Sequence, residues 1–172
     1  MAEVRKGAVN WKGNPTDLLG PELKAGDAAP TDFTVVGTDM AAVSGKDMAG
    51  KPRILAAVPS LDTPVCDTEM RRFNSEASKV PGVTIYAVSM DLPFAQKRWC
   101  GATGSDNVKA LSDYKDRSFG TAFGVMAPSK GLFARAVFVI GADDKLKHVE
   151  YVADATHEPD YDAALAAARS LG

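Results

Sequence analysis

At 172 residues the chain has the length of one domain, and its 45% hydrophobic and 24% charged residues match ordinary globular proteins, which excludes disordered, collagen-like and fibrous classes. With 20 Lys and Arg against 22 Asp and Glu, the net charge is −2, so the basic balance that nucleic-acid binding needs is missing. Two cysteines, Cys66 and Cys100, and two histidines are too few for a disulfide framework and leave little material for a metal site.

Charges interrupt every apolar stretch of residues 1–10, so no signal-peptide core is found there. The most apolar segments, 54–58 and 136–140, fall far below the roughly 18 residues that suggest a membrane span. The expectation is a soluble, cytoplasmic chain with no membrane partner. In that compartment thiols stay reduced, and a cysteine pair is redox-active or inert rather than a permanent staple.

Residues 1–30 are punctuated by Gly13-Asn14-Pro15 and Gly20-Pro21, which predicts an N-terminal β-hairpin, with arms 4–11 and 16–19, followed by a linker. Residues 32–36 read as a strand. Residues 53–58 read as a central strand buried on both faces, as parallel strands are, closed by Pro59. Cys66, Met70, Phe73, Ala77 and Val80 then recur at spacings of 4, 3, 4 and 3, the face of a helix that Pro81-Gly82 ends. A strand over 83–89 completes a βαβ unit with a right-handed crossover. A short helix over 93–99, a loop over 101–104, a strand over 107–111 and a helical turn over 118–123 follow. Residues 135–140 and 146–152, joined across Gly141–Lys145, read as an antiparallel hairpin, and 159–171 as a closing amphipathic helix with Asp160 and Asp162 in its first turn. The chain is expected to form a single α/β domain over 1–172. Met40, Met48, Met70, Met90 and Met126 are expected to fill gaps in its core, with Met90 also placed to line an apolar pocket.

One cysteine stands at a chemically loaded position. A buried strand leads through Pro59-Ser60-Leu61-Asp62 into Thr63, a suitable N-cap, and Pro64, suited to the first helical position, so Cys66 falls in the first turn. There, free backbone N–H groups and the positive end of the helix dipole favour an anion, and hence a nucleophilic thiolate. The C-terminal edge of such a strand is also where open α/β sheets place ligands. A plain packing role suits Cys66 equally well, since it shares the apolar face with Met70 and Phe73. Cys100 lies 34 positions on, too far for a C-x-x-C dithiol, between a helix and a loop; it reads as a partner thiol or a bystander.

Pro59-x-x-x-Thr63-x-x-Cys66 resembles the P-x-x-x-T-x-x-C signature of the peroxiredoxins. The run from Ser60 to Cys66 with Phe73-Asn74 is similar to their atypical two-cysteine thiol peroxidase branch. So are Asp91-Leu92-Pro93-Phe94-Ala95-Gln96 through Cys100-Gly101, Gly131 to Ala136, and Glu158-Pro159-Asp160-Tyr161. The resemblance implies a thioredoxin-like fold, a central mixed β-sheet flanked by helices with an N-terminal β-hairpin, and reduction of hydrogen peroxide and organic hydroperoxides in antioxidant defence. It makes Cys66 the peroxidatic and Cys100 the resolving cysteine, Arg135 the residue that holds thiolate and peroxide, Thr63 a bridging hydroxyl, and Pro59 a shield against water. It also implies thioredoxin as reductant, a homodimer, and no cofactor. Nothing local distinguishes Arg135 from Arg53. Two rivals stand beside this reading: a peroxide-sensing switch on the same fold, and a metal site of Cys66, Cys100, His148 and His157, whose histidines lack ligand-pair spacing.

Overall fold

A computed structural model describes residues 2–171. The chain opens with β1 (Val4–Trp11) and β2 (Asn14–Leu19), an antiparallel hairpin paired Trp11 to Asn14. Its two turn residues, Lys12 and Gly13, both have positive φ (51° and 78°), the backbone that a two-residue hairpin turn requires. The Asp154 carboxylate accepts hydrogen bonds from both of their N–H groups.

Next come β3 (Thr34–Gly37), β4 (Ala42–Ser44), a single helical turn α1 (Gly45–Met48), β5 (Arg53–Ala57) and α2 (Pro64–Glu76). Then β6 (Thr84–Ser89), α3 (Pro93–Thr103), β7 (Val108–Ser112), α4 (Ser118–Ala122), and the two-residue strands β8 (Met126–Ala127) and β9 (Leu132–Phe133) follow. The chain closes with β10 (Ala136–Ile140), β11 (Leu146–Tyr151) and α5 (Tyr161–Arg169). The main sheet has the order β11-β10-β5-β6-β7-β3-β4. β5, β6 and β7 are mutually parallel through crossovers over α2 and α3, and β10 joins β5 antiparallel, so the sheet is mixed. The expected double-sided burial of β5 holds, since all five of its residues are buried, although one neighbour is parallel and the other antiparallel.

Alternation along these strands sends side chains to two cores. Ile54, Ala56, Ile85, Ala87, Val137 and Val139 pack under α2, α3 and α5 with Cys66, Met70, Phe73 and Leu165. Leu55, Ala57, Val88, Phe138 and Ile140 face Phe33, Phe119, Phe123 and Phe133. In that second core Phe119 stacks on Phe123 at 4.5 Å, and Phe33 meets both rings edge-on.

Four sequence expectations change. The N-terminal hairpin is half of a four-stranded sheet, β1-β2-β8-β9, because β8 and β9 are too short to show a period. β4 and α1 escape notice for the same reason, although Ser44 and Asp47 form a capping box. The helix predicted over 93–99 runs on to Thr103 and is stopped by Gly104 in the left-handed conformation (φ 64°), so Cys100 lies inside a helix and not beside a loop. Met40 is no core residue: it sits 46% exposed in the β3–β4 turn with φ 67°, whereas Met48, Met70 and Met126 are buried. Among the described residues no helix is long and apolar enough to cross a membrane.

Candidate active site

β5 ends at Ala57, Val58 continues the ladder by donating to the Val88 carbonyl (3.0 Å), and buried Pro59 turns the chain towards α2. Asp91, just beyond β6, pins this turn: its carboxylate accepts from Ser60 Oγ (2.6 Å), Leu61 N (2.8 Å) and Ser89 Oγ (2.8 Å). Thr63 occupies the N-cap with extended backbone (φ −99°, ψ 148°) and Pro64 the first helical position, as expected. The Thr63 hydroxyl, however, does not cap the helix. It donates to the Ser60 carbonyl (2.9 Å) and closes the 60–63 turn, which leaves the first-turn N–H groups without a side-chain partner.

Cys66 is fully buried in that first turn. Arg135 reaches it from the residue just before β10, on the sheet face that Val137 and Val139 share with Cys66. The antiparallel register pairs Ala136 with Ala57 and Ile140 with Arg53, so Arg135 stands at the end of β5 from which the chain enters the Pro59 turn, and Arg53 at the opposite end. Register separates two arginines that look alike in sequence. Arg53 donates to the Lys51 carbonyl and to Asp144, a structural anchor. Arg135 Nη2 donates to Cys66 Sγ at 3.3 Å, Nη1 pairs with Glu69 Oε2 at 2.5 Å, and Nε and Nη2 both donate to the Ala155 carbonyl (3.1 and 2.9 Å). The fork geometry of guanidinium suits three partners held at fixed angles.

The electrostatics follow from burial. The Arg135 side chain is 2% exposed and that of Glu69 0%. Burial works against the Arg135 charge, but the Glu69 carboxylate and the Cys66 sulfur outweigh it and hold the guanidinium pKa above its ordinary value. Burial also pushes the Glu69 carboxyl up to about 7, against the pull of Arg135, and its Oε1 has no hydrogen-bond partner. The Ala155 carbonyl is itself held by the N-terminal hairpin, since Asn10 donates to Ala153 and accepts from Ala155 N (2.7 and 2.9 Å). The hairpin thus braces the loop that orients Arg135.

Cys100 is half-buried in the last turn of α3 and backs onto the same core cluster as Cys66. Burial raises its thiol pKa and Asp106 adds to the effect. A groove of about 460 Å³ passes Cys100 between Tyr86, Val108, Lys109 and the β3–β4 turn. A depression of about 140 Å³ lies on the outer side of the Cys66 turn, between Pro64, Val65, Thr68 and Glu158. Both cysteines are free thiols.

The structure therefore gathers Cys66 and Arg135 into direct contact, places Thr63 and Pro59 in the turn that presents Cys66, and sets Cys100 on the neighbouring helix. Among the described residues no three His, Cys, Asp or Glu side chains converge as a metal site, so the Cys66, Cys100, His148, His157 alternative is not assembled. Glu69 was missed in the sequence although its signal was present: a carboxylate at i+3 from Cys66, on the apolar face that carries Met70 and Phe73. Ala155 gave no such signal, and Asp91 stood out only as part of the run that carries the family resemblance.

Comparison with known proteins identifies the family. Residues 24–165 match the Redoxin family. The chain is 51% identical over 163 residues to a thiol peroxidase of Halalkalibacterium halodurans, covering 95% of this chain and 98% of that one. It is 49% identical over 163 residues to the thiol peroxidase of Bacillus subtilis, covering 95% and 97%. A peroxiredoxin-like protein from Aquifex aeolicus superposes with a TM-score of 0.88 at 41% identity, covering 99% of this chain and 98% of that one.

Proposed function

Because the chain belongs to the Redoxin family and, within it, to the thiol peroxidases of the peroxiredoxin class, and is a thiol-dependent peroxidase, we propose that Cys66 is its peroxidatic and Cys100 its resolving cysteine. The Cys66 thiolate attacks the terminal oxygen of a hydroperoxide R–O–O–H. The O–O bond breaks, Cys66 becomes a sulfenic acid, and the leaving alkoxide takes a proton to give R–OH. Arg135 stabilises the sulfur anion before the attack and the negative charge that develops on the peroxide oxygens during it. Thr63 orients the incoming peroxide through its hydroxyl, and Pro59 keeps water from the sulfur by shape. The Cys100 thiol then displaces the sulfenic hydroxyl as water, forming an intramolecular disulfide that thioredoxin reduces. No bound cofactor is required.

The contact of Arg135 Nη2 with Cys66 Sγ at 3.3 Å, inside a core that excludes water, carries this reading. A charged donor of fixed geometry is spent on a sulfur atom, which an inert buried cysteine does not need. We further read 1–172 as one domain acting in the cytoplasm as a homodimer, for which exposed Leu92 and Phe94 at the start of α3 offer apolar surface.

The test is thioredoxin-coupled hydroperoxide consumption by wild type, Cys66→Ser and Cys100→Ser. Wild type turns over steadily, Cys66→Ser is inactive, and Cys100→Ser oxidises once and recycles poorly. Full coupled activity in Cys66→Ser overturns the assignment. One stoichiometric oxidation without turnover in wild type favours a peroxide-sensing switch instead.

A further inference from the structure

The residues next to the two cysteines are bonded to each other. Trp99 Nε1, from the residue before Cys100, donates to Asp67 Oδ1, from the residue after Cys66, at 2.7 Å. This is a charge-assisted bond, with its indole 6% exposed within the core shared by α2 and α3. The other Asp67 oxygen accepts from Arg71 Nε (2.9 Å), so the carboxylate is fixed from both sides. It therefore ties the first turn of α2 to the second turn of α3 at the level of the thiols. Nearer the start of both helices lies the Asp91 clamp, whose bonds run to the Ser60–Leu61 turn and to Ser89. Neither clamp partner adjoins a cysteine, so this joint can stay closed while the helical turns above it move.

A Cys66–Cys100 disulfide requires an S–S bond of about 2.05 Å between atoms that are free thiols in this structure, one of them engaged by Arg135. Both cysteines sit in helical turns, and the Cys66 sulfur has to leave Arg135 before it can bond to Cys100. Asp67 and Trp99 are the covalent neighbours of the two cysteines, so any movement of either helical turn acts directly on their bond.

We propose that the Asp67–Trp99 hydrogen bond is a latch that positions Cys66 for attack on peroxide and must open before Cys100 can resolve it, so that its strength sets the rate of resolution. The inference rests on the assignment of Cys66 and Cys100 as the disulfide-forming pair. While the latch is closed, the Cys66 sulfenic acid stays beside Arg135, where a second hydroperoxide can transfer its terminal oxygen to the sulfur. That step yields a sulfinic acid and one molecule of alcohol, R–OH. Once the latch opens, Cys100 displaces the hydroxyl as water and the disulfide forms. The two fates compete, and Asp67 and Trp99 act on their ratio as positioning residues.

The experiment reads that ratio. Reduced wild type, Trp99→Phe, Asp67→Ala and Asp67→Asn are mixed with hydrogen peroxide, quenched with an alkylating agent, and weighed intact to count disulfide and sulfinic acid over time. Trp99→Phe and Asp67→Ala are expected to form the disulfide about tenfold faster, equivalent to about 1.4 kcal/mol, and to accumulate less sulfinic acid in excess peroxide. Asp67→Asn, whose amide oxygen still accepts from the indole but without the charge, is expected to fall between wild type and Asp67→Ala. If Trp99→Phe fails to fold, the Asp67 pair alone decides. Unchanged disulfide rates in both latch-breaking variants overturn the latch and leave the cysteine assignment standing. A wild type that accumulates sulfenic acid without any disulfide overturns the cysteine assignment, and the latch with it.

Discussion

Glu69 and Arg135 form an ion pair at 2.5 Å with both side chains withdrawn from water, and the other end of the same guanidinium donates to Cys66. One helical turn of α2 therefore carries both the nucleophile and the counter-ion of the arginine that serves it. The pair orients Arg135 and tempers its charge.

Removing one member of a buried pair leaves the other uncompensated. Glu69→Ala is expected to lower unfolding free energy by about 3–5 kcal/mol and to slow Cys66 oxidation, because Arg135 loses the partner that aims it. Glu69→Gln keeps an acceptor for Nη1 and should lose less on both counts. Urea unfolding and single-turnover oxidation measure the two effects separately.

Stability should depend on pH through the same carboxyl. Burial raises the Glu69 pKa in the folded protein to about 7, against 4.5 when unfolded. Between those values the folded state holds a proton that the unfolded state does not, so stability falls as pH rises from about 4.5 towards 7 and then levels off. Asp113, pushed up to about 6 mainly by burial, contributes the same sign in the lower part of that range. Unfolding free energies measured across this interval should slope downwards in wild type and less steeply in Glu69→Gln. Equal slopes would show that Glu69 is not the group responsible.

Arg135→Lys keeps the charge but replaces a planar fork with a single ammonium. Lysine cannot serve Cys66, Glu69 and the Ala155 carbonyl at the angles guanidinium does, so the second-order rate constant of Cys66 oxidation should fall about 100-fold. Stopped-flow oxidation with hydrogen peroxide checks this, and a loss of less than threefold would place the contribution of Arg135 in its charge alone.

Asp91→Ala removes two hydrogen bonds from the turn that delivers the chain to Cys66 and a third from Ser89 at the end of β6. Stability should fall by about 2–4 kcal/mol, and Asp91→Asn, which keeps one acceptor oxygen, should fall less. Thermal melts rank the two.

Much of the scaffold and half of the site were legible in the amino-acid order. The apolar run at 53–58, the helical spacing from Cys66 to Val80 and the strand at 83–89 specify a βαβ unit through local periodicity. Pro59, Thr63 and Pro64 place Cys66 in the first helical turn through backbone dihedral preferences that act over a few residues. Asp160, expected inside the first turn of the closing helix, is instead the N-cap of α5, its side chain accepting from Ala163 N. Glu69 could have been read as a carboxylate set on an apolar face, three residues after Cys66. Only the tertiary structure decided what surrounds Cys66. Arg135, distant by 69 positions, arrives there because β10 pairs antiparallel with β5 in one register, and that register also sends its double, Arg53, to the other end of the strand. The Asp67–Trp99 bond likewise depends on how α2 and α3 pack side by side. Strand order, register and helix packing are settled by burial summed over the whole sheet, so no stretch of a few residues encodes them.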